Sequence, residues 1–315
     1  MKSAAMDIGS NTVRVLLAEG LGQSLKRIQV RRKITRLSGG FDGRLNADSI
    51  ERTVSAAREL AGIARDSGVR EIRTACSGVV RKALNKKIFM DRLRVEAGVE
   101  PCLLSGNMEA KLAAVGACSR LGDQMAEILL VDIGGFSTEL SIVGKPLEFS
   151  QSFDIGVVSL TENILKNDPP SKEQIDSLRR LVAAGLRGFF YEKLPDRLVG
   201  IAGTPTTLAA IDLKLPLYDP SKVHRHEIDA DRIDEIFHTL ATISAQMRLE
   251  AFPGLEKGRE DLLPAGIIII QEIMKLGGYR KLVVSEGGLL DGLLLAETWP
   301  PLGYDFCSTG CERLF

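Results

Sequence analysis

The segment VDIGGFSTEL, residues 131–140, decides how this sequence is interpreted. It ends a predicted buried strand on Asp132, which two glycines and then hydroxyl and carboxylate side chains follow. Glycine lets backbone N–H groups approach a ligand because no Cβ intervenes, and successive N–H groups in such a turn bind anions. A carboxylate beside an anion repels it unless a cation bridges them. The segment therefore predicts a phosphate held together with Mg²⁺.

A second segment, MDIGSNTVRVL at residues 6–16, begins in the same way. Its Asp7 and Gly9 correspond to Asp132 and Gly134 at an offset of 125 residues. One copy alone is equally well explained as a strand that ends in an ordinary turn. Two copies at matching places favour a pair of loops that clamp a phosphate chain from both sides.

The order of the predicted elements indicates an α/β protein. Three strands and a helix with apolar residues at helical spacing come first, and strands then alternate with helices. Their approximate positions are 3–8, 13–18 and 24–36 for the strands and 47–66 for the helix. Three more strands begin after residue 122 and are again followed by helices, among them a long one at about 229–250, so the organisation is repeated once.

Composition narrows the classes of protein. A chain of 315 residues commonly forms two domains, and 44% hydrophobic with 26% charged residues is typical of a soluble globular protein. The net charge of zero argues against a nucleic-acid partner, and the longest apolar stretch, 262–270, is too short to span a membrane. Five scattered cysteines and an N-terminus without a signal segment predict reduced cysteines and a cytoplasmic location.

The sequence resembles the exopolyphosphatase / guanosine pentaphosphate phosphohydrolase (Ppx/GppA) family of the actin/sugar-kinase/Hsp70 ATPase superfamily. The matching segments keep the family's order and cover nearly the whole chain: 7–16, 75–85, 103–116, 129–140, 153–162, 200–211, 259–274 and 283–294. The resemblance implies a two-domain actin-like ATPase (ribonuclease H-like) fold, with a mixed five-stranded sheet and flanking helices in each domain. Domain I would be residues 1–122, completed by a C-terminal helix at 293–315, and domain II residues 123–292. The active site would lie between the domains.

The family resemblance also implies an activity, which is hydrolysis of a terminal phosphoryl group with Mg²⁺ or another divalent cation. The substrate would be inorganic polyphosphate or guanosine penta/tetraphosphate (pppGpp). The family's general base falls on Glu109, its phosphate-binding arginine on Arg81, and its metal-associated carboxylates on Asp132 and Glu139. Asp7 joins the metal ligands through the repeated loop. The predicted phosphate-binding residues are Gly9, Ser10, Asn11, Gly134, Gly135, Ser137 and Thr138.

Each of these residues has a simpler explanation. Ser105 or Asn107 can cap a helix whose first turn would hold Glu109, where a carboxylate is favourable for structural reasons alone. Arg81 could lie on a helix surface. The basic run at 31–36 alternates along a strand, so it is either a track for a polyanion or a solvated edge strand.

Three residues depart from the family pattern. Phe136 stands where a third glycine is usual, Met108 replaces a common second glutamate, and Leu290 stands where an arginine is frequent. Two rival functions stay open, namely an ATP-dependent small-molecule kinase of the same fold and a non-catalytic polyphosphate or (p)ppGpp sensor. Members of the family often form homodimers, and no pattern in this sequence locates such an interface.

Overall fold

The structure is a computed structural model that describes residues 2–20, 24–122, 127–144, 147–191 and 194–296. Contacts divide the chain into two compact units. The first contains the chain up to Ser119 and returns at Gly287, and the second is Arg120–Glu286. The last described helix begins at Leu289, four residues before the predicted one. The remainder of the predicted helix, from residue 297, lies outside the described residues.

The first unit contains the predicted mixed five-stranded sheet, in the order β3-β2-β1-β4-β5. Central β1 pairs antiparallel with β2 and parallel with β4, so one hairpin and one crossover connection meet at it. The strands are β1 (Lys2–Ile8), β2 (Thr12–Glu19), β3 (Lys26–Ile34), β4 (Ile72–Cys76) and β5 (Pro101–Leu103).

Five helices flank this sheet. The helices are α1 (Ala47–Asp66), α2 (Val79–Lys82), α3 (Lys86–Arg92), α4 (Gly106–Leu121) and α12 (Leu289–Leu295). Helix α1 begins where predicted because the Asn46 side chain accepts a hydrogen bond from the Asp48 N–H at 2.8 Å. Helix α3 continues into a π-helical turn, Leu93–Ala97.

Helices α4 and α12 pack against each other almost backbone to backbone. A Cβ on Gly116 of α4 would overlap the carbonyl oxygen of Gly288, and one on Gly292 of α12 would overlap that of Leu112. Their apolar side chains form one buried core with one face of the sheet, which includes Ala5. This contact holds the beginning of α4 in place over the sheet.

The second unit contains a six-stranded mixed sheet in the order β10-β11-β9-β6-β7-β8. The strands are β6 (Ile128–Ile133), β7 (Thr138–Val143), β8 (Leu147–Phe153), β9 (Leu198–Ile201), β10 (Glu227–Asp229) and β11 (Lys281–Val284). The prediction of five strands is wrong here because β10, an edge strand, is too short to show alternation.

The helices of the second unit follow the predicted order, except that one predicted helix is divided in two and one four-residue helix was not predicted. They are α5 (Val157–Asn163), α6 (Lys172–Leu186), α7 (Gly203–Asp212), α8 (Pro220–Val223), α9 (Ala230–Thr242), α10 (Ala245–Ala251) and α11 (Leu263–Gly277). The single helix predicted at about 229–250 is divided into α9 and α10. Ser244 starts the second helix by accepting a hydrogen bond from the Met247 N–H at 3.4 Å.

Two further predictions concern the cysteines and the membrane. Cys76 and Cys118 are free thiols, but Cys102 is disulfide-bonded, so the prediction of reduced cysteines is wrong at that position. Spacing along the chain does not determine which thiols meet in the fold. Among the described residues, no helix has the length and apolar character needed to cross a membrane.

Substitution of Gly292 by alanine should destabilise the first unit. The added Cβ meets backbone that cannot move aside cheaply, and overpacking of this kind costs about 1–3 kcal/mol. Gly62→Ala in α1 is the matched control, because nothing lies within 4 Å of its added Cβ and alanine favours a helix. Denaturant unfolding would measure both. A Gly292→Ala protein as stable as wild type would contradict the described packing.

Candidate active site

The turn between β1 and β2 is fixed through its carbonyl groups. The Gly9 N–H donates to the Thr12 carbonyl at 3.0 Å, which closes the turn. The Ser10 carbonyl accepts from the Ser38 N–H and hydroxyl, both at 3.0 Å. The Asn11 carbonyl accepts two further N–H groups, from residues 35 and 36. Within the described part of the chain no hydrogen bond uses the N–H of Ser10 or Asn11, as an anion-binding turn requires.

The Ser10 side chain ties this turn to α2. Its buried hydroxyl accepts a hydrogen bond from the Val79 N–H at 2.9 Å. Gly78 has a φ of +57°, and a Cβ there would overlap the Ser10 hydroxyl, so glycine is required for this approach. The turn therefore positions the helix that carries Arg81.

Arg81 and Glu109 form an ion pair at the same end of the sheet. The Arg81 Nη1 binds the Glu109 Oε2 and lies 3.4 Å from the Leu104 carbonyl. Glu109 is only 8% exposed, in the first turn of α4, which Ser105 begins by accepting from the Met108 N–H at 3.2 Å. The Glu109 carboxylate is directed to a side-chain partner, so dipole complementarity at a helix terminus does not by itself explain it.

Burial raises the pKa of Glu109 above its ordinary value of 4.5. Arg81 opposes this shift through its charge and its hydrogen bond, and a hydrogen bond from Ser77 opposes it further. The negative charge of Asp7 raises the pKa of Glu109 as well. Desolvation outweighs the ion pair, so this carboxyl holds its proton more tightly than a solvated glutamate does.

Asp7 is the penultimate residue of β1 and is buried, with an exposure of 3%. Arg14 is its antiparallel partner on β2, and the Arg14 Nε lies 3.1 Å from the Asp7 Oδ2. The Asp7 Oδ1 and the Asn11 Oδ1 are buried with no hydrogen-bond partner among the described residues. Buried oxygens without a donor suit a hard divalent cation, so Asp7 fits the predicted magnesium ligand.

The turn between β6 and β7 has the same closing hydrogen bond but a different pair of side chains. Its Gly134 N–H donates to the Ser137 carbonyl at 2.9 Å, as Gly9 does in the first turn. Asp132 lies directly opposite Glu139, whose Oε1 accepts from the Ser152 hydroxyl at 2.7 Å. Two carboxylates directly opposite each other repel, and a cation between them removes the repulsion.

The carbonyls of this second turn also cap α5. The Val157 N–H donates to the Gly134 carbonyl at 3.0 Å, and the Val158 N–H to the Gly135 carbonyl at 2.9 Å. A Cβ on Gly156 would overlap the backbone of residues 135 and 136. The turn is therefore packed against α5 on the side of its carbonyl groups.

A third turn, between β9 and α7, is strained and lies against an arginine. Ala202 has φ 66° and ψ −159°, a conformation that L residues rarely adopt and that clusters at functional sites. A Cβ on Gly203 would overlap the Arg259 guanidinium, whose Nε also donates to the Glu256 carboxylate at 2.9 Å. The ion pair of Arg259 with Glu256 therefore lies against the N-terminus of α7.

The carboxylates could hold a divalent cation only together with other ligands. No group of three or more Asp, Glu, His or Cys side chains suited to a metal occurs in the described ranges. Magnesium commonly takes one or two carboxylates and completes its shell with waters and substrate phosphates. The pair Asp132 and Glu139 meets this requirement.

Comparison with known proteins identifies the family of this chain. The model of the Ppx/GppA phosphatase family matches residues 17–298. The chain belongs to the Ppx/GppA phosphatase family. Exopolyphosphatase 2 of Mycobacterium tuberculosis is 31% identical over 93% of this chain and 97% of that protein.

Solved structures of Ppx/GppA proteins have the same fold. The Aquifex aeolicus family member has 31% identity and a TM-score of 0.80, over 94% of this chain and 97% of that one. An exopolyphosphatase from Cytophaga hutchinsonii has 22% identity and a TM-score of 0.85, over 93% and 96% of the two chains. The predicted α/β fold with two mixed sheets and flanking helices is confirmed.

The three departures from the Ppx/GppA pattern have structural explanations. Met108 and Leu290 are buried in the core that α4 and α12 share, so apolar side chains are required there. Phe136 is buried and is not among the described non-glycine residues with positive φ. A third glycine is therefore not needed for the backbone conformation of this turn.

Within each unit, most of the predicted Ppx/GppA site residues lie together. The first unit gathers Asp7, Gly9, Ser10, Asn11, Arg81 and Glu109 at one end of its sheet, and the second gathers Asp132, Gly134, Gly135, Ser137 and Glu139 around one turn. The Thr138 side chain is already used inside the protein. It is fully buried, and its hydroxyl donates to the Ile155 carbonyl at 2.6 Å.

Sequence reasoning missed Arg14 as the partner of Asp7, Ser77 and Ser152 as partners of carboxylates, and Arg259. Strand register reveals Arg14 and Ser152, because each lies opposite a predicted site residue. Arg259 is the first residue of segment 259–274, which carries part of the family resemblance. That position was the only sequence signal that Arg259 lies near the site.

The two turns should respond differently to an added methyl group. Gly156→Ala should destabilise the second unit by about 1–3 kcal/mol, because its Cβ overlaps the backbone of the turn. Gly9→Ala should leave stability nearly unchanged, since its Cβ meets only the Thr12 carbonyl at 3.6 Å. Thermal unfolding of the two variants would test this. Equal destabilisation would contradict the described packing of the turns.

Proposed function

We propose that this Ppx/GppA phosphatase is an exopolyphosphatase, a hydrolase that releases the terminal phosphate of inorganic polyphosphate. The observation that carries the proposal is the Glu109 carboxyl, which is buried and paired with Arg81. Burial and the charge of Asp7 raise its pKa. Similarity over nearly full length to a mycobacterial exopolyphosphatase supports the substrate class.

Glu109 would act as the general base. It would accept a proton from a water molecule whose oxygen attacks the terminal phosphorus, while the bridging P–O bond on the opposite side breaks. The shortened chain then leaves as an anion. A base is most effective when its pKa approaches the working pH, and burial moves the pKa of Glu109 in that direction.

Arg81 would bind the phosphoryl group under attack. Phosphoryl transfer depends mainly on positioning and on neutralising charge on the phosphoryl oxygens. Arg81 is held by Glu109 and the Leu104 carbonyl, so its side chain is ordered near the proposed base. An arriving phosphate would compete with Glu109 for the same guanidinium.

The backbone N–H groups of Ser10 and Asn11 would bind other phosphate oxygens, because the fold does not use them. Asp132 and Glu139 would hold a divalent cation, which supplies positive charge to the phosphate oxygens when bound. Their direct opposition on β6 and β7 supports this assignment, and the buried Oδ1 of Asp7 offers a separate oxygen ligand within the first unit.

Replacement of Glu109 by glutamine should lower phosphate release from polyphosphate by at least about 10²-fold, the usual contribution of general-base catalysis. Stability should not fall. The folded state binds the proton of this carboxyl more tightly than the unfolded state does. The folded protein therefore becomes less stable as pH rises from 4.5 through the raised pKa of Glu109. A neutral amide avoids that loss at neutral pH.

The measurement is phosphate release with Mg²⁺ from polyphosphate, pppGpp and ATP, with thermal unfolding in parallel. Glu59→Gln is the control, since Glu59 is an exposed carboxylate paired with Lys33 in the same unit. Release that persists in Glu109→Gln would refute its role as base. ATP-dependent phosphorylation of an acceptor, or tight binding of polyphosphate without turnover, would replace the proposal with a kinase or a sensor.

Replacement of Arg81 by glutamine should lower the rate and move the acidic limb of its pH profile upward. The positive charge of Arg81 holds the pKa of Glu109 down, so its loss lets that pKa rise further. Arg81→Lys keeps a charge and should move the limb less. Lys82→Gln, one residue along α2, is the control. If the midpoint of the acidic limb does not move in Arg81→Gln, the limb does not report the pKa of Glu109.

A further inference from the structure

A hydroxyl group on β8 extends the pair of carboxylates formed by Asp132 and Glu139. Register places Asp132 of β6 opposite Glu139 of β7, and Glu139 opposite Ser152 of β8. Side chains that lie directly opposite each other project from the same face of a sheet, so these three form one row across three neighbouring strands. Because β6 and β8 flank β7 on opposite sides, Ser152 approaches Glu139 from the side away from Asp132.

The Ser152 hydroxyl binds the Glu139 carboxylate directly. Its Oγ lies 2.7 Å from the Glu139 Oε1, and an ionised carboxylate can only accept, so Ser152 is the donor. Hydrogen bonds from a hydroxyl to a carboxylate are short and about twice as strong as those between neutral groups. The last torsion of a glutamate side chain is otherwise broad. This hydrogen bond therefore restricts how the carboxylate plane of Glu139 is rotated.

Burial limits the ways in which Glu139 can avoid Asp132. The Glu139 side chain is only 2% exposed, so it cannot relieve the repulsion between the two carboxylates by turning into water. A hydrogen bond to a charged carboxylate stabilises its charged form. The orientation of the Glu139 carboxylate is therefore set by its partners in the protein, of which Ser152 is one.

The pairing of β7 with β8 does not depend on the Ser152 hydroxyl. The backbones of the two strands pair along their length, and Phe153, on the other face of β8, packs edge to face with Phe189 at a centroid distance of 6.1 Å. One row along the same face as Ser152, the hydroxyls of Ser150 and Ser141 lie 2.9 Å apart. Ser150 therefore makes a similar contact between the strands without binding a carboxylate, so it separates the two roles.

We propose that Ser152 is a positioning residue for divalent-cation binding, because it orients the Glu139 carboxylate toward the cation that Glu139 would share with Asp132. Carboxylates that ligate a metal are commonly held by hydrogen bonds from neighbouring groups, and loss of such a partner typically lowers metal affinity about 10–100-fold. This inference rests on the proposed function, since the cation belongs to the same site.

The test measures binding of Mn²⁺, which carboxylate oxygens bind as they bind Mg²⁺ and whose EPR signal reports the free ion. Ser152→Ala should raise the Kd for Mn²⁺ at least about tenfold, and Ser152→Thr, which keeps the hydroxyl, should recover most of the affinity. Ser150→Ala is the matched control and should bind Mn²⁺ like wild type. Asp132→Asn should abolish the binding, which assigns the bound Mn²⁺ to this site.

The Mg²⁺ dependence of turnover gives a second measurement. Phosphate release by Ser152→Ala should need about tenfold more Mg²⁺ for its half-maximal rate, and it should approach the wild-type kcat when Mg²⁺ saturates. A variant whose fold alone is damaged would lose kcat at every Mg²⁺ concentration, and that result would count against a positioning role.

Mn²⁺ binding and turnover are separate readouts, so this inference and the proposed function can fail separately. If wild type releases no phosphate but Ser152→Ala weakens Mn²⁺ binding and Ser150→Ala does not, the inference is supported and the exopolyphosphatase is refuted. If wild type hydrolyses polyphosphate but Ser152→Ala and Ser150→Ala have equal Kd values for Mn²⁺, the inference is refuted. Mn²⁺ binding that is absent from wild type, or that persists in Asp132→Asn, would also overturn it.

Discussion

The ion pair between Arg81 and Glu109 is the interaction on which the account of this site depends. A buried carboxylate beside one arginine has an unfavourable environment overall, because desolvation outweighs the attraction of Arg81. Several local features hold the pair together: Ser10 binds the start of α2, Ser77 donates to the carboxylate, and the contact with α12 fixes α4. A fold maintains such a costly arrangement more readily where it serves chemistry than where it serves only stability.

The two repeated turns share a backbone hydrogen bond but differ in the charges of the side chains that follow them. Both turns close with the same N–H to carbonyl hydrogen bond, at Gly9 and Gly134. The strand pair that follows opposes Asp7 with Arg14 in the first unit and Asp132 with Glu139 in the second. The first pair combines opposite charges, whereas the second combines two carboxylates. The two strand pairs therefore differ in charge, although the two loops begin with the same residues.

Much of the fold follows from local sequence, because a capped amphipathic helix such as α1 and strands that end in glycine turns leave clear patterns. The site is predictable only in part. The pairing of Arg14 with Asp7 depends on strand register, which sequence spacing does not supply. The sequence predicts Thr138 as a phosphate ligand, but its hydroxyl donates a hydrogen bond to the Ile155 carbonyl. In the sequence, Met108 and Leu290 stand where the family commonly has polar residues. In the structure, both side chains are buried in the apolar core between the helices.

The central claim is that burial, rather than the ion pair, controls the protonation of Glu109. The most direct measurement is an NMR titration of the protein with ¹³C-labelled glutamate carboxyl groups, in which the Glu109 signal is assigned by its loss in Glu109→Gln. The account predicts a pKa above 4.5 for this carboxyl in the free protein. A pKa at or below 4.5 would show that Arg81 dominates, and the assignment of Glu109 as the base would lose its physical support.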